Sequence, residues 1–380
     1  MILCLCWSLV PVHAQDSQDA RIGETVDPVG GEPVIEPQFQ RGTDSAVVPN
    51  HPPIESIEPM PMPTPPSGER DAKPSETGEA VFFDAESGET RTFPAEALSE
   101  ILAVQGGGFR GIAGGEGESE SEGGSSTHGF GTKSLTSDTA LQSYPRSANV
   151  KLVMRFVDTS GNDAYFVCSG TMLDAGVVLT AAHCIHAAHE PTIDDWAEEI
   201  WVYPAWDGVG HWVPGANAHR EFWGWARGTQ RFAFTGWTEH ANWDWDAGMI
   251  RLRRTGPGNR QVGMLTGWYG WARDQECSAI QSRTYHNFSY PSQDCPSDGL
   301  HTGRDMYYWN GSIDACPSGG RQLEIDTSSG CMTAMWGGES GSSVYYMDNG
   351  SRYAHGVGST SNRSTYARYA KLWGTFIDYF

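Results

Sequence analysis

Basic residues are scarce: 25 Lys and Arg stand against 47 Asp and Glu, a formal charge of -22 over 380 residues. A chain of that sign is repelled by a phosphate backbone and by an anionic membrane surface, so neither nucleic acid nor membrane is expected as a partner. Long apolar runs are missing too. The longest, Met1 to Val12, is well short of the roughly 20 residues that a membrane-spanning helix needs. Cysteine numbers only 8, and no Cys-x2-Cys pair occurs after the opening segment, which argues against a thiolate zinc cage. No metal and no cofactor are expected.

The apolar opening ends in Val12-His13-Ala14 before Gln15, a small-x-Ala pattern that fits a signal-peptidase site. Residues 1 to 14 therefore read as a signal segment of a secreted, extracellular protein. Cys4 and Cys6 leave with it. The six that remain, Cys168, Cys184, Cys277, Cys295, Cys316 and Cys331, are enough for three disulfides in an oxidising compartment.

The rest divides in two. Residues 15 to 148 carry 23 acidic and 8 basic side chains and 14 of the 22 prolines, with neither tryptophan nor cysteine. Such a composition buries too little apolar surface to offset its ordering entropy, so most of this stretch is expected to be disordered. Ala80 to Val104 is the exception, with Phe82, Phe83 and Phe93 around a Ser87-Gly88 turn and a short helix over Ala95 to Val104. From Asn149 the texture changes to short apolar runs split by Gly, Asn and Asp, such as Val150 to Val157, Tyr165 to Leu173 and Met249 to Leu252. Many short strands with turns between them imply an all-β domain over residues 149 to 380.

Three motifs in this region carry chemistry. Acyl-transfer hydrolysis at neutral pH needs a nucleophile, a base for its proton, a group that fixes the base's tautomer, and donors for the developing oxyanion. Thr180-Ala181-Ala182-His183-Cys184 puts a histidine at a strand end, and Asp246-Ala247-Gly248-Met249 puts a carboxylate at the entry to a buried strand. Gly338-Glu339-Ser340-Gly341-Ser342 puts a serine on a tight turn.

In the order His, Asp, Ser these motifs resemble the trypsin-like (chymotrypsin-fold) serine peptidases, and more closely their V8-like or glutamyl-endopeptidase-like branch. Ser289-Tyr290-Pro291, Leu323 to Thr327 and a helix-like tail from Tyr366 to Phe380 resemble that branch as well. The resemblance spans about Asn149 to Phe380. It implies two packed six-stranded antiparallel β-barrels with a short C-terminal helix, preceded by the acidic segment as a pro-segment. It also implies a monomer that acts on protein or peptide substrates and can contact its own pro-segment.

Carried over residue by residue, Ser340 is the nucleophile, His183 the general base and then acid, and Asp246, in preference to Asp244, the orienting carboxylate. The N–H groups of Gly338 and Ser340 form the oxyanion hole. Ala334, Met335, Trp336, Gly358 and Ser359 line the substrate pocket, which holds no charge, so an apolar or aromatic residue is expected before the cleaved bond. His355, three residues early in its strand, is a poor substitute for the histidine with which the branch binds Glu. The resemblance pairs Cys168 with Cys184; Cys277 with Cys295 and Cys316 with Cys331 are the favoured local loops. Maturation is expected at Arg146-Ser147, with no trypsin-style new terminus at hand, although Glu339 could receive some other amine.

Weaker features have plainer readings. His183, His186 and His189 share a spacing that hints at metal but fit loop histidines better, because a metal-bound base cannot accept a serine proton. Nine tryptophans lie between Trp196 and Trp245. They could form a platform in a catalytically silent binding protein on the same fold, although such residues more often fill barrel cores. Asn287-Phe288-Ser289 and three further triplets match the glycosylation pattern.

Overall fold

The computed structural model describes residues 57–59, 79–93, 133–141, 143–208, 223, 225–253, 261–272, 276–292, 301, 303–328 and 335–372. The signal segment, the helix expected over Ala95 to Val104, most of the acidic stretch, Ala334, Cys295 and Cys331 lie outside these residues. Among them no helix is long and apolar enough to cross a membrane.

The molecule is all-β, as the run of short alternating segments requires. In Asn149–Val157 (β5) alternate side chains, Val150, Leu152, Met154 and Phe156, point inward and are wholly buried, while Lys151 and Arg155 between them are only partly buried. That is the two-residue period of a strand with one face on a core. β5 lies between Asp163–Asp174 (β6) and Glu199–Pro204 (β8). β6 continues to Val177–Thr180 (β7) and Gly248–Leu252 (β10), and β8 to Ala226–Phe234 (β9). β9 also pairs with β10, which closes a six-stranded antiparallel barrel.

Two pieces from upstream extend this barrel. Ile57–Pro59 (β1) runs parallel to β6. Ala80–Asp84 (β2) and Glu89–Phe93 (β3) form a hairpin across the turn expected at Ser87-Gly88, and β2 pairs with β9 from Ala80 opposite Phe234 to Asp84 opposite Gln230. The phenylalanines explain why: Phe82 meets Phe93 and Phe232 edge-on, and Phe83 stacks on Trp196.

The second sheet contains six antiparallel strands in the order β14, β17, β16, β15, β12, β13. They are Gln322–Asp326 (β14), Tyr366–Lys371 (β17), Ser351–Ser361 (β16), Ser343–Asp348 (β15), Tyr285–Ser289 (β12) and Tyr307–Gly311 (β13). Ser134–Leu135 (β4) adds to β13, and Gly270–Trp271 (β11) runs parallel to β16. One apolar core passes from the barrel into this sheet through Phe288, Tyr345 and Val357; a smaller one around Leu323, Val344 and Tyr369 belongs to the sheet alone.

Two expectations need correction. The helix-like tail is a strand over Tyr366–Lys371, hydrogen-bonded on both sides to β14 and β16; residues 373–380 lie outside the described set. Cys277 pairs with Cys316, Cα atoms 5.9 Å apart, not with Cys295, and Cys316 is thereby not paired with Cys331. The β12–β13 hairpin is the reason. With Tyr285 opposite Gly311, the residues just before β12 and just after β13 return to one place, although 39 positions separate the two cysteines. Cys168 and Cys184 are bridged, Cα atoms 6.3 Å apart.

Candidate active site

β7 ends at Thr180, and a single 3-10 turn, Ala182–Cys184, places His183 beside the first disulfide. A second such turn, Trp243–Trp245, starts where the Asn242 side chain accepts from the Asp244 N–H, and it delivers Asp246 to the mouth of β10. Both side chains are wholly buried. The Asp246 carboxylate is satisfied from three directions. Oδ1 accepts the backbone N–H of His183 at 2.8 Å, Oδ2 faces His183 Nδ1 at 2.8 Å, and the Ser359 hydroxyl donates to Oδ2 at 2.6 Å.

A buried carboxylate needs such partners to stay charged. Charged, it accepts from Nδ1–H and leaves the Nε2 lone pair of His183 available. The competing carboxylate, Asp244, turns toward Ser318, Gln322 and Arg321; burial raises its pKa, and those neighbours oppose the rise.

The serine turn precedes β15 and is pressed onto the end of β7. A Cβ at Gly341, whose φ is +81°, would lie 2.1 Å from Thr180 Oγ1 and 2.8 Å from the Ala181 nitrogen, and one at Gly338, φ +92°, would lie 2.5 Å from the Tyr290 carbonyl. Only glycine fits at either position. Ser169 locks the two sheets together here. Its N–H donates to the Ser340 carbonyl at 2.8 Å, its hydroxyl donates to the Gly338 carbonyl at 2.8 Å, and the same hydroxyl accepts from Tyr290 N.

The bonding of the turn leaves particular donors unspent. The N–H groups of Glu339, Gly341 and Ser342 donate to Trp336, Gly358 and Glu339 carbonyls. Those of Gly338 and Ser340 donate to no other group among the described residues. The carbonyls of Gly337 and Gly338 are held by Ser292 and Ser169, so the peptide planes cannot easily swing away. Ser340 Oγ and His183 Nε2 are likewise buried and without a hydrogen-bond partner among the described residues. Unpaired buried polar atoms are costly, and a serine hydroxyl, an imidazole nitrogen and two backbone N–H groups left without partners mark this as the candidate site.

Of the pocket residues, Met335 and Trp336 are buried, and the Met335 sulfur lies 3.1 Å from the position a Cβ would take on Gly358. Gly358 is tied to the serine turn by bonds in both directions, its N–H to Ser342 and its carbonyl from Gly341. Ser359, read from sequence as a pocket wall, spends its hydroxyl on Asp246 instead. His355 is buried with Nδ1 2.8 Å from the Tyr285 hydroxyl, and burial, aided by the nearby Lys371 and Arg283, depresses its pKa to about 3. It is neutral at ordinary pH and offers no charge to a Glu side chain.

Three residues that sequence reasoning left aside matter here. Ser169 joins the sheets. Asn287, noted only as a glycosylation match, is buried, donates to Ser342 Oγ at 2.9 Å and accepts from Trp309 Nε1, which leaves no access for a glycan. Lys133, from the acidic stretch, reaches Glu339. The tryptophans are largely structural: Trp201, Trp206, Trp225, Trp237 and Trp245 are buried in the core, and the Trp237 indole donates to the His186 carbonyl at 2.9 Å.

Comparison with known proteins gives partial likenesses. No family model matches. An "Extracellular metalloprotease" of Bacillus subtilis (strain 168) is 28% identical over 151 residues, 40% of this chain and 41% of the relative, so the match spans about two fifths of that protein's length. Among solved structures, the protease Anisep from Arthrobacter nicotinovorans superposes with a TM-score of 0.45 at 19% identity, covering 61% of this chain and 92% of that one. A thermostable serine protease, AL20, from an extremophilic microorganism gives 0.46 at 18%, covering 61% and 95%. A Glu endopeptidase gives 0.45 at 15%, covering 67% and 97%.

The relative's name raises the question of a metal. Cys168, His183 and Cys184 are the one group of described residues whose ligand-type atoms lie within 4.8 Å of each other. Both sulfurs are joined in the disulfide, and His183 Nδ1 is held by Asp246. A disulfide supplies no thiolate, so this set does not fit a metal ion.

Proposed function

We propose that the chain is a secreted serine endopeptidase, made as a precursor, that hydrolyses peptide bonds through an acyl-enzyme on Ser340. His183 Nε2 takes the proton as Ser340 Oγ attacks the scissile carbonyl, and Asp246 stabilises the imidazolium that forms. The N–H groups of Gly338 and Ser340 receive the oxyanion of the tetrahedral intermediate. The leaving amine departs with the proton from His183, and water then repeats the sequence to release the acid. The single observation that carries this reading is the pattern of spent and unspent groups. The Asp246 carboxylate and the N–H groups of Glu339, Gly341 and Ser342 are hydrogen-bonded, whereas Ser340 Oγ, His183 Nε2 and the N–H groups of Gly338 and Ser340 are left open among the described residues.

The pocket side of the turn, with Met335 and Trp336 buried and His355 neutral, supports an apolar or aromatic residue before the cleaved bond, because an apolar wall excludes a charge without a partner. Oxidised cysteine pairs and the word "Extracellular" in the Bacillus subtilis relative's name support secretion. Burial of most described tryptophans in the core removes the feature that a silent, tryptophan-rich binding protein would need.

A fluorophosphonate probe tests the reading. Stoichiometric labelling of the folded chain at Ser340, absent in Ser340→Ala, is the expected result. A folded wild-type chain that takes up no label, or a Ser340→Ala preparation that still cleaves peptides, would overturn it.

A further inference from the structure

We infer that Lys133 is a positioning residue for the serine turn: its ammonium, brought from the acidic stretch, holds Glu339 and so keeps the Gly338 and Ser340 N–H groups aimed at the substrate, and the working enzyme therefore retains the chain from Lys133 onward. This rests on the proposed peptidase reading and adds to it a residue and a boundary.

Glu339 lies between the two glycines of the turn, flanked on either side by the N–H groups assigned to the oxyanion. Its carboxylate is wholly buried. Oε1 accepts from Trp336 N at 2.9 Å and pairs with Lys133 Nζ at 3.1 Å, and Oε2 accepts from Ser289 Oγ at 2.9 Å. Lys133 is the one cation paired with Glu339 among the described residues, and its side chain is wholly buried as well, 3.9 Å over the Trp309 ring. Removing one partner of such a pair leaves an uncompensated charge in the interior, far costlier than never having had the pair. Here the residue left charged would be part of the turn itself. Relief would come by moving Glu339 toward water, and the N–H groups on both sides of it would move too.

The segment that carries Lys133 is built into the fold. Ser134–Leu135 pairs with Tyr307 and Tyr308, the Thr136 N–H donates to Met306 O at 2.9 Å, and Leu141 is buried. The Arg146-Ser147 bond sits in a 3-10 turn where the buried Ser147 hydroxyl donates to Thr266 O at 2.6 Å. Cleavage needs extended, accessible chain, and cleavage at that bond would sever Lys133 from Glu339. The maturation bond expected from sequence is therefore replaced by one upstream of Lys133.

A double-mutant cycle in the full chain tests this, using Lys133→Met, Glu339→Gln and the pair together, with fluorophosphonate labelling rate, kcat and KM read on each and folding checked by near-ultraviolet circular dichroism. Lys133→Met is expected to lower kcat about 100-fold, the effect of losing one oxyanion donor, with KM nearly unchanged. In the Glu339→Gln background the same substitution should cost less than about threefold, because no buried charge is left unpaired. Terminal sequencing of the active form should give a start at or before residue 133.

Equal effects of Lys133→Met in both backgrounds, an unaltered kcat, or a fully active form beginning after residue 133 would overturn the inference. If Lys133→Met alone does not fold, the step from Glu339→Gln to the pair decides, since a large loss there has no charge to explain it. A wild-type chain that takes up no label fails the peptidase reading itself, whereas a labelled wild type with a flat cycle fails only this inference.

Discussion

Two acid–base pairs stand wholly buried on either side of the serine, and they contrast. His183 and Asp246 meet within the first barrel, Nδ1 to Oδ2 at 2.8 Å, with two further donors on the carboxylate. Lys133 and Glu339 meet between the upstream segment and the second sheet, with two further donors on that carboxylate. The partners differ in what they can do. An imidazole can pass a proton in each turnover, whereas the Lys133 ammonium, whose pKa burial lowers and Glu339 holds up, has only geometry to offer. On the proposed reading, the same carboxylate chemistry serves one pair that exchanges a proton and one that holds a turn in place.

The largest break in this comparison comes from the reacting atoms. Ser340→Ala and His183→Ala are each expected to lower kcat by about 10⁶-fold, because members of such a triad act as a unit, while circular dichroism and melting temperature stay near wild type. Asp246→Asn keeps the shape but presents an amide to Nδ1 and favours the wrong tautomer, with an expected loss of about 10⁴-fold in kcat. Peptide hydrolysis under matched folding controls measures all three.

A pH experiment reads the buried histidines to which the proposed mechanism gives no part. Burial, the largest cause for each, lowers the pKa of His186 and His286 to about 4 and of His355 to about 3, against an unfolded value near 6.5. Above about pH 6.5 each is neutral folded or unfolded, and nothing is lost. As pH falls below that, the unfolded chain takes up protons first, so stability drops progressively toward pH 4, by roughly 3 kcal/mol for each group depressed to 4. Melting temperature followed from pH 7 to 4 should fall, and His286→Phe should flatten part of the slope. An unchanged slope would show that His286 is protonated in the folded chain.

How much of this was legible in sequence follows from the range of the contacts. Thr180 to Cys184, Asp246 to Met249 and Gly338 to Ser342 each carry their structural logic within a few residues: a strand end, a strand entry, a turn that only glycine fits. The Phe82, Phe83 and Phe93 cluster around Ser87-Gly88 was readable as an ordered turn for the same reason, and the hairpin itself came from the pairing of β2 with β3 and β9. Nothing near Lys133 points to Glu339, since their meeting depends on β4 joining β13. The Cys277–Cys316 pairing depends on the hairpin between them. Tyr366, Ala367, Tyr369 and Ala370 have a spacing that suits a helix, and neighbours on both sides make the segment a strand.

The smallest effect sharpens the comparison most, because it trims a carboxylate's surroundings without touching its partner. Ser359 was read as a pocket residue, yet its hydroxyl donates to Asp246 Oδ2 at 2.6 Å. Ser359→Ala removes one of three donors and leaves His183 in place. A hydrogen bond to a charged group contributes about 1.5 to 3 kcal/mol, and two donors remain to take up part of the loss, so kcat should fall only about tenfold. KM and the ranking of peptide substrates should stay near wild type, because the change touches the support of the imidazole and not the pocket. If Ser359 were a pocket wall instead, the change would appear in KM and in the preference among peptide substrates, with kcat nearly unmoved. Comparing the two readouts on one variant decides which side of the strand does the work.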